Sequence, residues 1–211
     1  MTRSSRWVFL AATFAAMPVL AQINIVPLED PPELAPEALV RVFDQACIDT
    51  AGRAGPAVDW ALGQGFEPVD PMRADEGLLD GKAGTVLVAP GTYGRVMLAV
   101  TERQCSVWVE RVSGPGLRQA LSAHIGRLEG KGHKLTPIVN RNVERSGAWR
   151  NQAQWRYRAV GASQDLGLGA VTTLLEAPGT QVLHLAPIAR TPATAPDGTP
   201  LRIDGLPPSA R

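Results

Sequence analysis

The chain has 211 residues and a formal net charge of +1 at pH 7, with 45% hydrophobic and 19% charged residues. This near-neutral balance argues against a nucleic-acid-binding protein, which must neutralise many phosphates. The length is sufficient for one domain with a sizeable core.

The first residues, MTRSSRWVFLAATFAAMPVLAQ, have the pattern of a secretory signal peptide. Arg3 and Arg6 precede an apolar run, and Val19 and Ala21 stand at the two positions where signal peptidase accepts small residues. The run is shorter than the roughly 20 residues that cross a membrane. We therefore expect a signal peptide over residues 1–21, a periplasmic or secreted chain, and no integral membrane segment after cleavage.

Proline-rich segments follow the signal sequence and close the chain. Residues 22–36 contain four prolines, and residues 191–211 contain five. Because proline fixes φ and removes a backbone donor, such segments tend to stay extended. We expect an extended N-terminal arm over residues 22–36, a single domain over residues 37–190 and a disordered tail over residues 191–211.

The first part of the predicted domain is helical. PEALVRVFDQACIDTAG begins with Pro36 and repeats apolar residues at three- and four-residue steps, which predicts a helix. PAVDWALGQGF predicts a second, shorter helix. Residues 67–84 are rich in proline, glycine and acids and are predicted to be a connector. Asp75, Glu76 and Asp80 do not have the spacing of a calcium loop, so no metal is expected there.

The pattern then changes to β-branched runs. TVLVA, RVMLAVT and CSVWVERV predict three antiparallel strands, and GPGLRQALSAHIGRLEGKG predicts a helix. KLTPIVNRNVE, GAWRNQAQWRYRAV, GAVTTLLEA and QVLHLAPIA predict four more strands. Helices and strands therefore come in blocks with short strand linkers. This order favours an α+β fold, with a mainly antiparallel sheet of about six or seven strands, two N-terminal helices and one central helix.

The two cysteines are predicted to form a disulfide. Cys47 lies on the apolar side of the first helix, and Cys105 begins the third strand. An exported protein with two cysteines usually pairs them, and this bond would connect the helix to the sheet. The alternatives are two buried thiols, or a nucleophilic Cys105 assisted by one of the three histidines. No catalytic signature supports a nucleophile, so no catalytic residue is assigned.

His124, His133 and His184 do not have the spacing of metal ligands with the cysteines, and no dinucleotide or phosphate-binding motif is present. The segment GLGA after Asp165 lacks the required glycine spacing. We therefore expect neither a metal nor another cofactor.

Charge is unevenly distributed along the chain. Residues 22–80 contain twelve acids and three bases, whereas residues 127–158 contain eight bases and two acids. In the strand GAWRNQAQWRYRAV, alternation predicts that one face carries Trp149, Trp155 and Tyr157. The opposite face, here called the basic strand face, carries Arg150, Gln152, Gln154, Arg156 and Arg158. It is predicted either to be solvated, to face the acidic half of the domain, or to bind an anionic partner.

A helix ending near Cys47, then Gly65 and Phe66, a strand pair and the sequence Cys-Ser-Val at residues 105–107 resemble a group of small exported proteins of proteobacteria with no established activity. The resemblance covers residues 37–128. It implies export and a core with paired cysteines, and it transfers no catalytic residue.

The sequence thus favours a non-catalytic exported domain that binds a protein or an anionic envelope component through the basic strand face. Two alternatives stay open, namely an envelope hydrolase with a non-standard site and a secreted inhibitor or immunity-type protein.

Overall fold

The computed structural model describes residues 34–70, 76–92, 95–145, 147–176 and 179–188. The predicted signal peptide, the arm up to residue 33 and the tail from residue 191 lie outside these ranges. Within them, no helix is both long and apolar enough to cross a membrane.

The fold is α+β, and the described residues form four α-helices packed on an antiparallel sheet. The helices are α1 (Pro36–Phe43), α2 (Ala54–Gly63), α3 (Glu76–Leu79) and α4 (Gly114–Gly130), and a π-helical turn at Asp44–Ile48 directly continues α1. The strands are β1 (Glu67–Pro68), β2 (Gly84–Val88), β3 (Val96–Thr101), β4 (Cys105–Val109), β5 (Lys134–Arg145), β6 (Ala148–Arg158), β7 (Leu166–Thr173) and β8 (Gln181–Pro187).

The strand order in the sheet is β1-β2-β3-β4-β8-β7-β6-β5, and every neighbouring pair is antiparallel. The last described strand, β8, therefore lies between β4 and β7 and joins two meanders into one sheet. Among the described residues, β5 is an edge strand, and it contains Pro137 beside an irregularity in the register. An edge position suits this proline, which cannot donate to a ladder on both sides.

The predicted fold class is confirmed, but the strand number was too low. In the described part of the chain the sheet has eight strands, because β1 forms within the segment 67–84 that was predicted to be a connector. The short helix α3 lies in the same segment. Neither element is long enough to show a period in the sequence. In addition, β7 begins at Leu166 rather than at Gly169.

One face of the sheet, here called the helix face, is covered by α1, α2, α4 and the π-helical turn. Local sequence sets these helices, because Pro36 lies in the first turn of α1, and the Ser113 hydroxyl accepts from the Gly116 amide, 2.9 Å away, at the start of α4. The main core lies on this face and includes Phe43, Leu117, Leu121, Val107, Leu168, Leu183 and Leu185, all at most 2% exposed.

The predicted disulfide is present on the helix face. Cys47, in the π-helical turn, is bonded to Cys105 at the start of β4, with 5.5 Å between the two Cα atoms. Both residues are fully buried. The bond connects the N-terminal helical segment to the centre of the sheet, as the sequence predicted.

The opposite face of the sheet, here called the outer face, is only partly covered. Leu78 of α3 packs on Val86 of β2 and Ala99 of β3, and Trp108 of β4 lies against this small second cluster. The basic strand face of β6 lies on the same side, because Gln152 is in register with Val171, Val182 and Trp108 across neighbouring strands. The helical cover thus ends beside β4, short of the basic strand.

Candidate functional site

The outer face contains a cavity of about 290 Å³ at the point where the cover of α3 ends. Its floor is a row of four residues in register across β4, β8, β7 and β6, namely Trp108, Val182, Val171 and Gln152. The remaining lining residues are Gly77, Leu78, Asp80, Gln104, Val143, Arg150, Thr180 and His184. The cavity is therefore mainly apolar, with a few polar groups at its edges.

Trp108 presents its ring to the cavity as an apolar surface. The indole nitrogen donates a hydrogen bond to the Ser106 hydroxyl, 3.0 Å away. The polar atom of this side chain is therefore already satisfied within the sheet, and the indole orientation is fixed.

Arg150 is the cation of the cavity. One guanidinium nitrogen donates to the carbonyl of Thr180 at 2.6 Å, and within the described part of the chain no carboxylate forms an ion pair with it. Asp80 also lines the cavity, but Lys82 lies 3.2 Å from its carboxylate. Arg150 is thus held in position by a neutral partner and retains donors for an anion.

His184 lies on the outer face two residues after Val182 in β8, at the opposite end of the cavity from Arg150. It is 8% exposed. Its imidazole is positioned over Gly169, where an added Cβ would lie 2.2 Å from the ring. No described residue forms a hydrogen bond with this ring. Burial lowers the pKa of His184 from 6.5 to about 4, so the imidazole is neutral at pH 7 and can both donate and accept.

Gln154 lies on the other side of Gly169 in the same row as His184. It is 7% exposed, and its Oε1 atom has no hydrogen-bond partner among the described residues. The Gln154 amide nitrogen lies above Gly167, where a Cβ would be 3.2 Å away. The two glycines of β7 therefore leave room for a polar side chain from each neighbouring strand.

The structure separates the five residues of the basic strand face into different environments. Arg150 and Gln152 line the cavity, and Gln154 is buried beside it. Arg156 is exposed. Arg158 forms a two-pronged ion pair with Asp165, at 2.6 and 2.9 Å, and the pKa of Arg158 is raised by this hydrogen-bonded partner.

Strand β5 adds positive charge to the same face. Arg141 is in register with Gln152 and donates to its Oε1 atom at 3.2 Å. Glu144 is the only acid in the sequences of β5, β6 and β7, and it is paired in register with Trp149, which lies on the other face. The outer face is consequently basic along β5 and β6.

The other two histidines lie away from the cavity. His124 of α4 is buried, and its Nε2 atom lies 3.1 Å from the Asp44 carboxylate, a close contact that lacks hydrogen-bond geometry. His133 is 3.1 Å from the hydroxyl of Tyr157. Burial raises the pKa of both Tyr157 and Asp49 in this region, with Asp44 adding to each shift.

No group of three or more histidine, cysteine or acidic side chains in the described ranges is arranged to hold a metal.

A serine lies next to His184 but is not arranged as a nucleophile. Ser106 is in register with His184 on the neighbouring strand. Its hydroxyl donates to the carbonyl of Ala99 at 3.2 Å and accepts from Trp108, and Ser106 is 1% exposed. Its proton is therefore directed away from the imidazole, whereas an activated nucleophile shares that proton with its base.

Arg150 and Gln152, which belong to the predicted basic strand face, line the cavity, and so do Trp108, Val182 and His184, which the sequence pattern did not indicate. Their proximity depends on the pairing of β4 with β8, which joins segments about seventy residues apart. Gly167 and Gly169 were the sequence feature that could have indicated this region, because alternating glycines in a strand indicate close approach by neighbouring groups. No protein-family model matches the chain, and no curated protein is significantly similar to it.

Proposed function

We propose that this chain is an exported, non-catalytic binding protein, and that it binds an anionic component of the cell envelope at the outer face, where the basic strand face meets the cavity. Export is supported by the N-terminal sequence pattern and by the Cys47–Cys105 disulfide, because such bonds persist mainly in oxidising compartments.

Arg150 carries the proposal for the binding surface. It lines an apolar cavity, its described partner is a neutral carbonyl, and it lies on a face to which Arg141 and Arg156 add positive charge. A guanidinium beside low-dielectric walls interacts more strongly with an anion than one surrounded by water. Arg158 is a weaker candidate because Asp165 already neutralises it.

The test is retention of small anions from an envelope extract on the immobilised, folded protein, read by negative-ion mass spectrometry. The double variant Arg150→Glu/Arg156→Glu should lose most of the anionic compounds that the unmodified protein retains. Arg103→Glu/Lys131→Glu is the matched control, because it changes the net charge equally at exposed positions in a strand turn and after α4. An identical retained set for the unmodified protein and the first variant, or an equal loss in the control, would contradict the proposal.

A further inference from the structure

The cavity has two polar ends, and the apolar part of its floor separates them. Arg150 and Thr180 lie at one end, and His184 and Gln104 lie at the other. The row formed by Trp108, Val182 and Val171 lies between them. From strand geometry, the Cα atoms of Arg150 and His184 are about 13 Å apart along the strands and about 10 Å apart across them.

The two polar ends differ in charge. Arg150 is a cation with unused donors, so its end suits a carboxylate, which can accept two parallel hydrogen bonds from a guanidinium. His184 is nine-tenths buried, neutral, lines the cavity and has no described hydrogen-bond partner. A buried polar group without a partner is unfavourable, so a ligand hydroxyl or carbonyl at this end would be stabilised.

We propose that the cavity binds a small, elongated carboxylate, with the carboxylate at Arg150, an apolar body on Trp108, Val171 and Val182, and a neutral polar group at His184. This inference rests on the proposed function of the outer face and narrows it to one ligand class. The chemistry disfavours a cation, which Arg150 would repel. It also disfavours a ligand that is polar along its whole length, because the apolar row Trp108, Val182 and Val171 offers it no hydrogen-bond partner.

The probes are octanoate, octanol and 8-hydroxyoctanoate, and binding to the full mature chain is measured by calorimetry at pH 7. Octanoate should bind, and octanol should bind at least about tenfold more weakly, because octanol lacks the charge that the Arg150 guanidinium would hydrogen-bond. Arg150→Gln should weaken octanoate binding by about tenfold to a hundredfold. Lys131→Gln is the control, because it removes one positive charge at an exposed position after α4, outside the cavity lining, and it should change affinity less than about threefold.

The role of the His184 end of the cavity is tested with 8-hydroxyoctanoate. 8-Hydroxyoctanoate should bind the unmodified protein more tightly than octanoate by up to about tenfold, and this advantage should disappear in His184→Phe. His184→Phe should leave octanoate affinity within about threefold. Equal losses in Arg150→Gln and Lys131→Gln, or equal binding of octanoate and octanol, would overturn the inference.

The failure of this inference can be separated from failure of the proposed function. If octanoate does not bind, but anion retention from the extract still depends on Arg150 and Arg156, the ligand class assigned to the cavity is wrong and the binding function stands. If neither octanoate nor extract anions depend on these arginines, both proposals are wrong. Thermal unfolding of each variant, measured in parallel, confirms that the comparison is made on folded protein.

Discussion

The two faces of the sheet differ in composition and packing, although adjacent residues of the same strands form both. The helix face is filled by leucines, valines and Phe43, and the disulfide crosses it. The outer face combines a small cluster under α3, a cavity, buried polar side chains that include Gln154 and His184, and a row of cations. Side-chain alternation puts both environments into each strand, so stability and binding can be altered separately by changing neighbouring residues.

The largest effect should follow removal of the disulfide on the helix face. Replacing both Cys47 and Cys105 by alanine should lower the free energy of unfolding by about 4 kcal/mol, because the bond closes a loop spanning 58 residues in the unfolded chain. Denaturant unfolding measures this loss. A change below about 1 kcal/mol would show that the bond adds little to a helix face already held by packing.

Neighbouring residues of β8 offer the sharpest comparison of the two faces. Leu183 is fully buried on the helix face, whereas Val182 is half-buried on the cavity floor. Leu183→Ala should cost about 2–5 kcal/mol of stability, because the closely packed core cannot close the space left behind. Val182→Ala should cost about 1 kcal/mol or less and should mainly weaken ligand binding. Equal stability losses, measured by denaturant unfolding, would contradict the assignment of separate roles to the two faces.

Acid should destabilise the outer face through His184. The unfolded chain takes up a proton near pH 6.5, whereas the folded protein does so only near pH 4. Stability therefore falls as the pH falls from 6.5 to 4, with an upper limit of about 3 kcal/mol for a shift of this size. In His184→Gln this contribution should be absent. Unfolding curves at several pH values test it, since the other titrating groups are common to both proteins, and parallel pH profiles would contradict it.

The smallest of these effects concerns the glycine beneath His184. Gly169→Ala should cost about 1–3 kcal/mol, because the new methyl group would overlap the imidazole ring. Combining it with His184→Ala should recover part of that loss. Gly126→Ala is the matched control, because apart from its own helical backbone nothing lies within 4 Å of the added Cβ, and it should stabilise the protein by about 0.5–1 kcal/mol. Additive losses in the double variant would show that Gly169 and His184 do not interact.

The helix face was largely predictable from the sequence, whereas the cavity was not. The apolar steps of α1, the β-branched runs and the two cysteines each carry local or chemical information, and they predicted the helices, most strands and the disulfide. The insertion of β8 between β4 and β7 depends on pairing between distant segments, which no local period records. The row Trp108, Val182, Val171 and Gln152 could therefore not be assembled from the sequence.

Gln154 and Leu166 show what the alternation of side chains along a strand does not predict. Gln154 was placed on the correct strand face, but alternation does not reveal that this part of the face is buried. Leu166 begins β7, yet the glycines at positions 167 and 169 weaken the strand signal there. Packing against the neighbouring strands overrides this local preference.

Side-chain methyl NMR during titration with octanoate tests the central claim most directly. The methyl signals of Val171 and Val182, with the indole signal of Trp108, should shift and saturate together, whereas those of Leu168, Leu183 and Leu185 on the helix face should stay nearly constant. Arg150→Gln should move the midpoint to about tenfold higher octanoate or beyond. Shifts confined to the helix face, or none at the three outer-face residues at saturating octanoate, would contradict the account.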